Sequence, residues 1–202
     1  MSGRERMYLD CDEVSYLAVF SFGAVQKVGE LTGLLTYLES RQPKVVVEIG
    51  VDSGGVSWAL TKLTSVKKVI GIDKPDAYWG TGQNLANVKY IIQNSSNKYQ
   101  FLSADSHAEK CYTQLVGTYL EPGEKIDFLF IDGDHSYEGV KQDFEMYSPL
   151  VAEGGSIAFH DICTETPRCQ VKRFWDEIKD TKSYGAIISE PPTMGGIGIM
   201  QW

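Results

Sequence analysis

Apolar and polar positions alternate along this chain in two rhythms, and the switches between them mark its elements. Short apolar runs closed by a glycine or an acid recur: Lys44-Val-Val-Val-Glu-Ile-Gly50, Lys68-Val-Ile-Gly-Ile-Asp73, Tyr99 to Ala104 followed by Asp105, and Lys125-Ile-Asp-Phe-Leu-Phe-Ile-Asp132. Such runs, apolar on both faces, predict buried parallel strands. Gly154 to Phe159, ending at His160-Asp161, predicts a fifth. Between them the period lengthens. Val56 to Leu63 predicts a helix, Val140, Phe144 and Tyr147 recur at the spacing of a second, and Val171, Phe174, Trp175 and Ile178 share one face of a third. Residues 14–40 predict one or two more helices, with Leu31, Leu34, Leu35 and Leu38 on the apolar side. The stretch 74–97, rich in Asn and Gly, reads as a loop-rich insertion that shapes a pocket. Tyr184 to Ser189 and Ile197 to Trp202 predict two last strands. The link Pro191-Pro-Thr-Met-Gly-Gly196 is too short for a crossover helix, so those strands form a hairpin.

Strand–helix alternation predicts an α/β, Rossmann-like three-layer sandwich: a mostly parallel seven-stranded sheet with a C-terminal antiparallel hairpin. The 202 residues make one domain, with 41–202 as its core and 1–40 as a helical segment packed on it. In such folds ligands bind beyond the carboxyl ends of the strands. Asp73, Asp105, Asp132 and Asp161 all stand at those ends.

Charge narrows the partners. Nineteen Lys and Arg against 27 Asp and Glu leave a net charge of −8, with no basic run, which argues against nucleic acid and anionic membranes. No apolar stretch approaches the roughly 20 residues of a membrane span. Val14 to Phe22 follows Asp10, Asp12 and Glu13, the opposite of a secretory signal's positive start. Cys11, Cys111, Cys163 and Cys169 are scattered without metal-ligand spacing and read as reduced thiols of a cytoplasmic protein.

The first loop, Glu48-Ile-Gly50-Val-Asp52-Ser53-Gly54-Gly55, discriminates between cofactors. A dinucleotide loop wants glycine where Asp52 stands. A carboxylate there would repel a pyrophosphate by roughly 4 kcal/mol per charge pair at about 4 Å and an effective dielectric of about 20. A nicotinamide- or flavin-dependent oxidoreductase is therefore the weaker reading. A ligand with an amino-acid end and a net positive charge suits the loop better. Asp73 has two oxygens for a pair of ribose hydroxyls, and Asp105-Ser106 present acceptors for an adenine amino group.

The Glu48-x-Gly50-x-x-x-Gly54 loop with acids after the second and third strands resembles the class I S-adenosylmethionine-dependent methyltransferases, over about residues 26–202. A narrower string, Ile131-Asp-Gly-Asp-His-Ser-Tyr-Glu-Gly-Val140 with Asp143, Pro149-Leu150, Gly154-Gly155 and His160-Asp161, is similar to the branch holding the macrocin and mycinamicin sugar O-methyltransferases and the cephalosporin-hydroxylase-like proteins. The resemblance implies S-adenosylmethionine as methyl donor and a small-molecule acceptor such as a sugar. It also implies a divalent cation on Asp132 and Asp161, and His135 as the base.

The residues themselves support that chemistry. Transfer of an activated methyl needs alignment and a deprotonated oxygen. Asp132 and Asp161 offer hard oxygens to Mg²⁺, which lowers the pKa of a hydroxyl, and His135 titrates near neutrality. Where the sugar methyltransferases carry a third acidic ligand, this chain has His160, so Mn²⁺ or Fe²⁺ competes with Mg²⁺ unless Asp134 compensates. Plainer roles stand beside these. Asp132 has the position of a cap for the helix near Ser136, His135 of a packing histidine, and His160-Asp161 of a structural pair. Asp143 reads as a solvated helix residue, Trp175 as core, and Trp58, Tyr78 and Trp79 carry no assigned role. A nitrogen acceptor, or a non-catalytic binding module completed by another subunit or forming a homo-oligomer, remains the alternative.

Overall fold

β1 (Val45–Ile49) is buried at every position because helices cover it on both sides. Val46 packs with Leu31, Leu34, Leu35 and Leu38 of α2 (Val28–Arg41), and with Trp58 and Leu60 of α3 (Gly55–Leu60). Val45, Val47 and Ile49 face the other way, toward Tyr147 of α6 (Tyr137–Tyr147) and Phe174 and Trp175 of α7 (Val171–Ile178). The period of two along the strand thus divides its side chains between two cores. Each fully buried leucine contributes on the order of 2 kcal/mol of burial free energy.

The computed structural model describes residues 9–74, 85–187 and 194–202. β1 pairs in parallel with β2 (Lys68–Asp73) and β4 (Ile126–Ile131). β3 (Tyr99–Ser103) lies beyond β2, and β5 (Val151–His160) beyond β4. β7 (Ile197–Gln201) runs antiparallel between β5 and β6 (Tyr184–Ile187), giving the order β3-β2-β1-β4-β5-β7-β6. This is the mostly parallel seven-stranded sheet with a closing hairpin that the alternation predicts. α1 (Cys11–Phe20), capped by Asp10 and Glu13, packs with α2 and α3 on one face.

Three details depart from the expectation. α4 (Leu85–Asn94) occupies the stretch read as loop-rich, burying Val88 and Ile91 while Asn94 turns back to bond the Tyr90 carbonyl. α5 (Glu109–Gln114) and a π-helical turn over Leu115–Tyr119 precede β4. β5 starts at Val151, with Gly154 at φ 79° inside it. Trp58 is core, stacked on Phe22 at 4.3 Å, and Trp175 is core as predicted. Tyr78, Trp79 and the predicted end of β6 at Ser189 lie outside the described residues. Among the described residues no helix is long and apolar enough to cross a membrane.

The tips of β1 and β4 meet backbone to backbone. Gly50 (φ 90°) donates its N–H to the Ile72 carbonyl, and the Asp132 N–H donates to Ile49. A Cβ at position 50 would be driven into the Asp132 carbonyl. Gly50→Ala should therefore lose about 3 kcal/mol or more, from left-handed strain plus forced separation of the strands. Urea unfolding of the two proteins checks this, and an unchanged midpoint would refute it.

Candidate functional site

The first loop is fastened to the neighbouring strand tip. Asp73, the last residue of β2, accepts the N–H groups of Val51 (3.1 Å) and Asp52 (2.7 Å) on one oxygen. Burial raises its pKa, with those amide bonds opposing. Asp52 sits at φ 45°, a backbone state that Asp tolerates better than most residues. Gly54 (φ 83°) leads into α3, and at Gly55 the connection between α1 and α2 lies so close that a Cβ would clash with Ala24. Ser53 faces Gly23 of that same connection. Glu48 lies beneath the loop, 1% exposed, and accepts a hydrogen bond from Ser57 of α3. Burial above all, with the charges of Asp132 and Asp73 adding, holds its carboxyl well above the usual range against the opposing Ser57 bond.

At the tip of β3, Asp105 accepts the His107 N–H (3.0 Å) and pairs with Lys74 (3.1 Å). Partial burial opposes its ionisation, but these contacts outweigh it and lower its pKa. Ser106 is buried, and its carbonyl accepts the Tyr147 hydroxyl at 2.6 Å. The two tips adjoin, since the Ala104 N–H bonds the Asp73 carbonyl at 2.9 Å.

The tips of β4 and β5 carry the densest chemistry. His135 Nε2 lies 3.1 Å from Asp161 Oδ2 and 3.4 Å from Asp132 Oδ1. His160 Nδ1 lies 3.3 Å from the same Asp132 oxygen and 3.6 Å from Asp161 Oδ2. Asp161 also accepts from Thr164 Oγ1 (2.6 Å), and Asp132 accepts from Gln26 Nε2 (2.6 Å). Ser136, not Asp132, caps α6, accepting the Gly139 N–H at 3.0 Å. That leaves the Asp132 carboxylate to the site. Burial disfavours charge on both imidazoles, yet the bonds and charges of Asp132 and Asp161 overcome it and raise each to about 10. Burial likewise opposes ionisation of Asp132, but His160 and His135 bring it down to about 2; Asp161 is lowered against burial by His135, His160 and Thr164.

Asp132, His135 and Asp161 each offer one ligand atom within 4.8 Å of the others, a donor set that fits a divalent cation. His160 touches both carboxylates of that group. Asp134 does not compensate for the histidine. Its Oδ1 accepts the Ser136 N–H at 2.9 Å and its side chain packs under Gly139 of α6, where its charge partners are His107 and Lys74. Asp143 corrects a second expectation. It is fully buried, not solvated, because its face of α6 packs on the loop after β3, where His107 Nε2 lies 3.2 Å away. His107 is correspondingly raised, first through its bond to Asp143 and against burial.

Sequence reasoning missed Gln26 and Glu30. Nothing marks Gln26, a lone amide in a turn. Glu30 did leave a signal: it stands four residues before Leu34, on the apolar face of α2, and is fully buried near His160.

The profile of a family described as "Methyltransferase domain" matches residues 47–162, more than half of the chain. The chain belongs to this methyltransferase family. Its fold is that of the class I S-adenosylmethionine-dependent enzymes, as the first loop and the strand-end acids implied. The chain is 38% identical over 117 residues to "Uncharacterized protein R132" of Acanthamoeba polyphaga mimivirus, covering 57% of this chain and 50% of that one. It thus spans about half the length of this curated relative. Solved structures share the fold. The O-methyltransferase from Bacillus cereus in complex with SAH has a TM-score of 0.63 at 17% identity, covering 95% of this chain and 90% of that one. TomG from Streptomyces achromogenes, an O-methyltransferase involved in tomaymycin synthesis and bound to SAM, has 0.64 at 16%, covering 96% and 90%. PaMTH1 from Podospora anserina, bound to SAH, has 0.62 at 14%, covering 96% and 88%.

The raised histidines and lowered aspartates carry a signed consequence. Each imidazole titrates near 6.5 when unfolded and at about 10 here, so its stabilisation is complete below pH 6.5 and is lost as pH rises through 10. Asp132 acts oppositely, losing its contribution as pH falls from the ordinary range toward about 2, and Asp161, also lowered, loses its own on the acid side. In cation-free buffer the melting temperature should fall between pH 6.5 and 10, and Asp132→Asn should flatten that fall. An equal slope in both proteins would refute the ion cluster.

Proposed function

We propose that this chain moves the methyl group of S-adenosylmethionine to a hydroxyl oxygen of a small molecule, of sugar or natural-product type, with a divalent cation held by Asp132, Asp161 and His160. The observation that carries this reading is the convergence of those side chains from two adjacent strand tips, beside a glycine-bearing loop fastened to Asp73. The SAM- and SAH-bound neighbours of the same fold support the methyl donor.

The chain's own groups divide the work. Asp73 takes the loop amides on one oxygen, and its carboxylate is the group that would accept ribose hydroxyls. Asp105 and Ser106 stand where an adenine edge would lie, and the Gly50–Gly55 loop faces the amino-acid end. A bound cation would supply Lewis acidity that makes a hydroxyl easier to ionise. Asp132 and Asp161 hold the acceptor end of the site in place through their shared partners. His135, about a fifth exposed and in contact with both acids, is the group placed to take the acceptor's proton. It is protonated in the cation-free cluster. It becomes a base only when another positive charge shares the two carboxylates. Mn²⁺ and Fe²⁺ suit the nitrogen-containing donor set better than an all-oxygen site would.

Calorimetry should show S-adenosylmethionine binding, and its absence would remove the proposal. Asp132→Ala and Asp161→Ala should abolish a turnover that EDTA also abolishes. His135→Ala should reduce kcat by roughly 10²–10⁴. Turnover insensitive to EDTA would refute the cation, and methylation of amines instead of alcohols would refute the oxygen acceptor.

A further inference from the structure

The cluster at the tips of β4 and β5 is closed on one side by residues from outside the matched family segment. The chain between α1 and α2 crosses the carboxyl ends of the sheet and delivers Gln26, 4% exposed, to Asp132. Its Nε2 takes Asp132 Oδ2 at 2.6 Å, which turns the other oxygen, Oδ1, toward His135 and His160. One turn further along α2, Glu30 is fully buried, with Oε2 3.8 Å from His160 Nε2. The His160 ring therefore lies between two carboxylates, Glu30 at Nε2 and Asp132 at Nδ1. Lys27 tightens the same turn, lying 3.5 Å from Glu30 and donating to the Met194 carbonyl at 2.8 Å. Gly195 packs so closely that a Cβ there would come within 2.9 Å of Glu30 Oε2.

A buried carboxylate on α2 and a buried amide just before it cost stability unless polar partners compensate them. Their partners here are two members of the candidate cation site. Histidines that ligate metals usually present their second nitrogen to a carboxylate, which fixes ring orientation and tautomer. Glu30 stands in that relation to His160. At 3.8 Å this is an ion-pair contact, and among the described residues no hydrogen bond reaches His160 Nε2 or His135 Nδ1.

We propose that the first turn of α2 and the residues just before it form the positioning layer of this site. Gln26 selects which Asp132 oxygen faces the cation, and Glu30 orients His160. The inference rests on the cation reading of the preceding subsection. It makes the N-terminal helical segment part of the site and not only a cover for the sheet.

The probe is Mn²⁺, titrated by electron paramagnetic resonance into the full chain and into Gln26→Met and Glu30→Gln, which keep side-chain volume. Melting curves and SAH affinity serve as controls of folding. Each variant should bind Mn²⁺ about tenfold or more weakly, while melting cooperatively and holding SAH as the parent does. Gln26→Asn, which keeps the amide but withdraws it, is the second variant should Gln26→Met fail to fold, and the same weakening is expected. Parental Mn²⁺ affinity in the folded variants would overturn the positioning layer and leave the cation reading standing. A parent chain that binds no Mn²⁺ would overturn both.

Discussion

Two half-buried carboxylates in contact across adjacent strand tips repel one another, and positive charge between them is what lets both stay ionised. Asp132 and Asp161 meet that requirement through a pair of imidazoles, with every nitrogen–oxygen separation between 3.1 and 3.6 Å. The rest of the architecture can be understood as the means of bringing these groups together. β4 and β5 must be neighbours, which the order β1-β4-β5-β7 secures. The turn after β4 must return His135 over the strand ends, and its carbonyl is anchored there by the Gln170 N–H at 2.7 Å. Positive charge between the acids is thus built in, at the cost of burying two charged rings.

The scaffold makes this affordable through its dryness and its close backbone contacts. Apolar side chains on both faces of the central strands exclude water from everything below the tips. Above them, Gly50 allows β1 and β4 to touch along the backbone, and Asp73 binds the next two residues of the loop. A rigid, dry floor strengthens electrostatic interactions at the rim. It also means that the loop, the β2 tip and the β4 tip hold one relative geometry.

The sheet was legible because its strands are buried on both faces and end in glycine or acid, a pattern with few other solutions. Asp132, His160 and Asp161 stood out for the same reason, closing apolar runs, and His135 by its place three residues past Asp132. What escaped reading has a common cause. α4 hides behind polar asparagines, with only Val88 and Ile91 announcing its buried face. Asp143 looked solvated because its partner, His107, lies on a different loop, 36 residues earlier in the chain (143 minus 107). Gln26 meets Asp132 across 106 positions. Contacts between distant segments leave no local period, so single polar residues that complete a site from afar are invisible to patterning.

The end of β5 carries one more consequence. Asp161 adopts φ 64°, and the turn it makes is stitched to the segment before β7. Thr164 donates to Asp161 and accepts from the Gly195 N–H at 2.8 Å, while the Cys163 N–H bonds the Gly195 carbonyl at 2.9 Å. The hairpin is therefore a strut. A displacement of the residues before β7 would reach the carboxylate at the β5 tip through the Thr164 hydroxyl and the Cys163 amide.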